Sequence, residues 1–212
     1  MLKLDHITII APSLAEGAGH VSACLDLDVP FGTRHIYMGT HNHRLQLGRG
    51  VYLEIVALDP DGVDPGQVRW FGLDDQQKVR ADWDAGRRLR GWVANTVEMD
   101  RILSDHLKTF GIPVLLPPDA PEFAFAIPRD GSLPLDGAAP CLIDHRGVPT
   151  RMDEIPQMGA RLESLTLEHP TPETIKALYA KLDIDRPPKI VEGPQVRYTA
   201  HVETPNGRRV LT

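Results

Sequence analysis

Two ionisable side chains sit where a soluble chain ordinarily places hydrocarbon. His6 lies in the run Leu4-Asp5-His6-Ile7-Thr8-Ile9-Ile10, and Glu54 lies in Val51-Tyr52-Leu53-Glu54-Ile55-Val56. Both runs carry the β-branched and aliphatic residues of strands. A carboxylate among such neighbours loses its hydration, which is costly unless a cation or hydrogen bonds replace the water. An imidazole beside a carboxylate offers proton transfer, or ligation of Fe(II), Mn(II), Ni(II) or Zn(II). The plainer alternatives are a salt bridge from Glu54 to Arg34 or Arg44, and a His6 satisfied within its own strand.

Between the two runs lies Arg34-His35-Ile36-Tyr37-Met38-Gly39-Thr40-His41-Asn42-His43, too polar for a core and dense in side-chain donors. Arg34 offers a two-pronged fork for a carboxylate, while His35, Thr40 and Asn42 can orient a ligand by hydrogen bonds. His35, His41 and His43 are not spaced as a compact metal motif and read as pocket wall. Gly39 serves backbone geometry. The alternative is a polar turn between strands, with Arg34 neutralising Glu54. Cys141 has no electropositive neighbours in sequence, so no nucleophilic role is expected of it. The chain has no phosphate-binding loop, no dinucleotide fingerprint and no nucleophile elbow.

The elements that must hold these residues recur. Leu4–Ile10 reads as a strand, Ser13 and Glu16 form a capping box, and Leu14, Ala18, Val21 and Leu25 give a helix one apolar face. Short strands follow near Arg34–Tyr37, Arg44–Leu47 and Val51–Val56. From Gly91 the pattern repeats. Trp92–Thr96 reads as a strand, Met99 to Phe110 as a helix stopped by Gly111, and Val114–Leu116, Phe123–Ile127 and Cys141–Asp144 as strands. A third unit has a strand at Leu162–Leu167, a helix capped by Thr171 with Pro172 first, and strands near Lys189–Val191, Tyr198–Glu203 and Arg209–Leu211.

This pattern predicts α+β modules packed side by side: 1–58, a connector 59–89, a second module 90–147, a linker 148–160 and a partial third module 161–212. The two full modules should share one curved mixed sheet that the third extends. Trp70, Phe71 and Trp83 should dock the connector on the body. The net charge of -6 argues against a nucleic-acid or anionic-membrane partner. No apolar run spans a bilayer, and two cysteines, Cys24 and Cys141, fit a reducing compartment, so a cytoplasmic protein is expected.

The Leu4-Asp5-His6 opening, Arg34-His35 through Gly39-Thr40-x-Asn42, Tyr52-Leu53-Glu54, Gly91-Trp92-Val93, Pro140-Cys141-Leu142-Ile143 and Thr204-Pro205-x-Gly207 follow one another in a telling order. With them the chain resembles the vicinal oxygen chelate superfamily, and more narrowly the glyoxalase-like domain family. The resemblance covers nearly the whole chain and implies paired β-α-β-β-β modules curled around a cavity. It implies metal ligands on the first and last strands of each module: His6 and Glu54, then Asp144 or His145. The remaining position falls at Trp92, which cannot ligate and would offer an aromatic face to a ligand; the third module has Ser164 there. The implied function is a metal-dependent lyase, isomerase or dioxygenase acting on a small carbonyl- or carboxylate-bearing molecule. The metal would stabilise an enolate, and Glu54 would act as ligand or as a base whose pKa burial raises. The rival reading is a metal-free binding or resistance-type protein of the same fold. Either is compatible with a homodimer.

Overall fold

The computed structural model describes residues 1–212. The first module comprises β1 (Leu2–Ile10), α1 (Leu14–Leu25), β2 (Phe31–His35), β3 (Thr40–Gln46) and β4 (Tyr52–Leu58). The connector holds a helix that periodicity did not announce, α2 (Gln76–Asp84). The second module comprises β5 (Leu89–Asn95), α3 (Met99–Phe110), β6 (Ile112–Leu116), β7 (Phe123–Ile127) and β8 (Cys141–Asp144). The third adds β9 (Arg161–His169), α4 (Pro172–Leu182), β10 (Ile184–Asp185), β11 (Lys189–Glu192), β12 (Arg197–Thr204) and β13 (Gly207–Leu211).

The first two modules form one strongly curled sheet in the order β2-β3-β4-β1-β5-β8-β7-β6. At its centre β1 and β5 pair antiparallel, and each is flanked by a parallel partner, β4 and β8. Period-2 alternation then sorts the side chains. Ile7, Ile9, Leu53 and Ile55 join the core beneath the helices, while Ile10, Val56, Val93, Cys141 and Ile143 belong to the core of the concave side. Ser13 begins α1 as expected: its hydroxyl accepts from the Glu16 amide at 3.3 Å. Gly17 lets α1 lie close on β4, because a Cβ there would come within 2.4 Å of Ile55 Cγ2.

The third module does not extend this sheet. It forms a separate four-stranded sheet, β11-β9-β12-β13, and only the two residues of β10 reach over to pair with β1. Thr171 starts α4, but its side chain makes no capping bond and lies instead against His169 Nδ1 at 3.3 Å. The joint to the second module is aromatic: Tyr179 Oη donates to the Ala138 carbonyl at 2.7 Å and Tyr198 Oη to the Gly137 carbonyl at 2.8 Å. The connector docks as its aromatic residues require, with Trp70, Phe71 and Trp83 buried. Asp82 of α2 ties the connector to the second module by pairing with Arg87 at 2.7 Å and the buried Arg90 at 2.8 Å. No helix is long and apolar enough to cross a membrane.

Candidate active site

The concave face of the curled sheet encloses a cavity of about 250 Å³. His6, Asn42, Arg44, Tyr52 and Glu54 line it from β1, β3 and β4, with His35 beside them. Register explains this grouping. In the parallel pair β1–β4, His6 sits opposite Tyr52 and Thr8 opposite Glu54; across β3–β4, Arg44 sits opposite Glu54. Facing partners in a ladder share a side of the sheet, as do residues two apart on a strand, so two neighbouring rows bring the cation, the acid and the imidazole to the same wall.

Glu54 and His6 are both nearly excluded from solvent, at 5% and 3% exposure. Glu54 Oε1 accepts from Asn42 Nδ2 at 2.7 Å. Its other oxygen lies 3.4 Å from His6 Nε2, but off the line of a hydrogen bond, so that Nε2 has no partner. His6 Nδ1 donates to Asp5 Oδ1 at 2.7 Å, and Asp5 Oδ2 accepts from His145 Nε2 at 2.8 Å. Tyr52 stacks on the His6 ring at a centroid distance of 4.4 Å. The result is a polar chain, Asn42-Glu54-His6-Asp5-His145, along one wall of the cavity.

The charges along this chain support one another. Burial alone would lower the His6 pKa, but the hydrogen bond to Asp5 and the adjacent Glu54 carboxylate outweigh it and raise the imidazole to about 9. Burial would raise Glu54, yet the His6 imidazolium and the Asn42 amide hold it down at about 2. The expected raised Glu54 is therefore corrected, because desolvation is more than offset by a neighbouring cation. Asp5 is also held below the usual carboxylate range, burial being overcome by its bonds to His145 and His6. His35 moves the other way: burial lowers it, leaving a neutral ring whose Nδ1 lies 3.1 Å from Thr40 Oγ1. Cys141 is a buried thiol pushed up to about 12 by burial and by Glu54.

Several sequence expectations find other places. Arg34 is half-exposed and pairs with Asp59 at 3.3 Å and Asp61 at 3.2 Å, outside the cavity and away from Glu54. Thr40 is fully buried and does not line the cavity; it supports His35. His41 and His43 fall on the opposite side of β3 from Asn42, and His43 Nδ1 donates to the Val29 carbonyl at 2.5 Å. Trp92 lies 1% exposed in the core beneath the helices and donates to Tyr179 Oη at 3.3 Å, so it serves the joint to the third module and offers the cavity no ring. Val93 takes the concave position on β5. Of the two residues at the end of β8, His145 lines the cavity, while Asp144 Oδ1 accepts from the Arg146 amide at 2.7 Å.

His6, Glu54 and His145 do not converge as a ligand set. His145 Nε2 is held by Asp5, and no three His, Cys, Asp or Glu side chains gather about one point. Two donors remain, His6 Nε2 and Glu54 Oε2, against the three or four protein ligands that metal sites ordinarily supply.

Arg44, expected only as a salt-bridge partner of Glu54, and a strap formed by part of the linker 148–160 also belong to the site. Arg44 donates from Nη2 to Thr33 Oγ1 at 3.0 Å, its Nε has no partner, and no carboxylate pairs with it. Strand alternation from Asn42 would have placed it on the cavity side. The segment 148–155 closes the cavity from outside, through Val148, Thr150, Met152 and Ile155. It is pinned by the buried Gln46, whose Nε2 donates to the carbonyls of Met152 at 2.6 Å and Ile155 at 2.8 Å. Arg151 pairs with Glu122 across the mouth at 3.5 Å and with Glu154 of its own segment at 3.9 Å.

No curated protein matches this sequence. Among solved structures, a hypothetical protein from Staphylococcus aureus is similar at 10% identity and a TM-score of 0.57, covering 96% of this chain and 92% of that one. A methylmalonyl-CoA epimerase from Streptomyces coelicolor, in complex with 2-nitronate-propionyl-CoA, matches at 16% identity, TM-score 0.41, with 71% and 99% of the two chains covered. The methylmalonyl-CoA epimerase from Mycobacterium tuberculosis matches at 12% identity, TM-score 0.39, with 66% and 85% covered. The family model of the glyoxalase-like domain matches residues 4–182. The chain belongs to the glyoxalase-like domain family.

Proposed function

We propose that this protein is an enzyme that moves a proton on the carbon next to the carbonyl of a small molecule held in the cavity. Glu54 is the base and His6 the acid. The observation that carries this reading is the buried pair itself: an ionised carboxylate oxygen 3.4 Å from an unpartnered imidazolium nitrogen on a cavity wall. That spacing is comparable with the gap between a carbonyl oxygen and a hydrogen on the adjacent carbon.

In the proposed step Glu54 takes the α-hydrogen as a proton, the C–H electron pair shifts into an enolate, and His6 Nε2 donates to the developing oxyanion. A carboxylate with a pKa of about 2 is a weak base at rest. As His6 passes its proton to the substrate oxygen, the positive charge that depresses Glu54 disappears, and the affinity of Glu54 for a proton rises in the same motion. Asp5 keeps Nδ1 of the ring occupied, so Nε2 is the nitrogen that acts. Return of the proton to either face, or to a neighbouring atom, completes an epimerase- or isomerase-type reaction.

A second reading, chelation of a divalent cation by His6 Nε2 and Glu54 Oε2, draws on the same unpartnered nitrogen. It supplies two protein donors, so no step is assigned to a metal. One experiment addresses both readings. Small 2-oxo acids and ketones incubated with the protein in D2O, followed by NMR, should gain deuterium at the α-carbon. Glu54→Gln should abolish the gain, and added Mn(II), Ni(II) or Zn(II) should not be required. Wash-in that appears only with metal would transfer the case to the second reading.

A further inference from the structure

The two arms of the curled sheet face the cavity with different chemistry, although Tyr52 stands on the first, Glu122 beside the second, and Trp70 packs across onto His35 at 5.1 Å. The arm of β3 and β4 presents Arg44, Asn42 and Glu54. The opposite arm, β7 with the connector, presents Trp70, Phe71, Phe123 and Phe125. Three of these rings are locked together edge to face or tilted: Trp70–Phe125 at 5.4 Å, Phe71–Phe125 at 5.5 Å and Trp70–Phe71 at 5.8 Å between centroids. Phe123, half-buried at the outer end, has no aromatic partner in the protein. Rings that line a cavity leave apolar surface without a packing partner, which a ligand with a ring would cover.

The polar arm is equally incomplete. Arg44 faces the cavity as a cation without a carboxylate, and its Nε has no hydrogen-bond partner. Arg44 is half-buried on the cavity wall, and a guanidinium matches a carboxylate in a forked geometry. Trp70 Nε1 is a further buried donor without a partner. Glu54 is the cross-strand neighbour of Arg44 but makes no ion pair with it: Oε1 accepts from Asn42 and Oε2 lies beside His6. The cavity, at about 250 Å³, lies below the range of about 300–1,000 Å³ typical of drug-sized ligands. A space of that size suits a small molecule rather than a drug-sized one.

We propose that the cavity is built for a small monocarboxylate bearing a single aromatic ring, its carboxylate on Arg44 and its ring against Phe123 and the Trp70–Phe125 cluster. This deepens the proton-transfer reading and rests on it only for the chemistry at the α-carbon. The binding claim stands on Arg44 and the aromatic arm alone.

The test is calorimetric titration of the intact protein with four probes: phenylacetate, cyclohexylacetate, hexanoate and benzyl alcohol. Phenylacetate should bind at least about tenfold more tightly than each of the others. Arg44→Gln and Arg44→Lys should each remove the advantage of phenylacetate over benzyl alcohol, and Phe123→Leu should remove its advantage over cyclohexylacetate. Glu54→Gln should still bind phenylacetate, which separates this claim from the chemistry. Binding without deuterium exchange would sink the proton-transfer reading and leave the ligand class standing. Cyclohexylacetate or hexanoate binding as tightly as phenylacetate, or affinity unmoved by both Arg44 variants in correctly folded protein, would overturn the proposal.

Discussion

Asp5 and His6 are adjacent on β1, yet His6 Nδ1 donates to Asp5 Oδ1 at 2.7 Å. Neighbours on a regular strand point to opposite faces. The pairing of β1 with β5 slips between Leu4 and His6, and this irregularity re-aims Asp5 so that it reaches both His6 and His145. A break in one ladder thus converts an isolated buried imidazole into the middle member of a charged chain.

Asp5→Asn should lower the His6 pKa by at least about one unit, equivalent to about 1.4 kcal/mol. NMR titration of the His6 ring in wild type and variant measures this directly. An unchanged titration would mean that Glu54 alone keeps the ring charged.

Stability should fall on both sides of neutrality. The folded pKa of His6 is raised from 6.5 to about 9, so its contribution is complete below about 6.5 and is lost as pH climbs through about 9. Glu54 is lowered from 4.5 to about 2, so its contribution is complete above about 4.5 and is lost as pH falls through about 2. The Tm should therefore decline between about pH 6.5 and 9. His6→Gln should flatten that alkaline limb, and a limb of equal slope in the variant would remove His6 from the linkage.

Asp82 is the shared partner of Arg87 and the buried Arg90, so Asp82→Ala should cost about 3–5 kcal/mol by stranding charge where connector and second module meet. Denaturant unfolding measures it, and a loss below about 1 kcal/mol would mean that water already reaches Arg90.

Gln46→Leu should leave two strap carbonyls without their side-chain donor, at about 1–3 kcal/mol of local stability. Limited proteolysis should then cut within 148–160 while the body resists. Unchanged protection of that segment would show that the strap is held by its apolar contacts instead.

Much of this was legible in the chain. The strands around His6 and Glu54 are read from dense β-branched runs, and the Ser13 capping box from local chemistry alone. Trp92 was not, because β5 is buried on both faces and its sequence carries no alternation to say which way the indole turns. Arg34 and Arg44 look alike in sequence. Only the pairing of β3 with β4 and the acids Asp59 and Asp61 separate the surface arginine from the cavity arginine. The strap has no periodicity, and its role is fixed by a bond from Gln46 more than a hundred residues earlier. The separate sheet of the third module follows from long-range strand pairing, which local propensity does not encode.

The central claim is that Glu54 takes a proton from carbon in this cavity. The most direct test is the initial rate of α-deuterium wash-in to phenylpyruvate in D2O, corrected for the uncatalysed rate, for wild type and Glu54→Gln at equal site occupancy. The variant should lose at least about 100-fold in rate, the lower end of what a positioned general base contributes. Equal rates in the two proteins would contradict it.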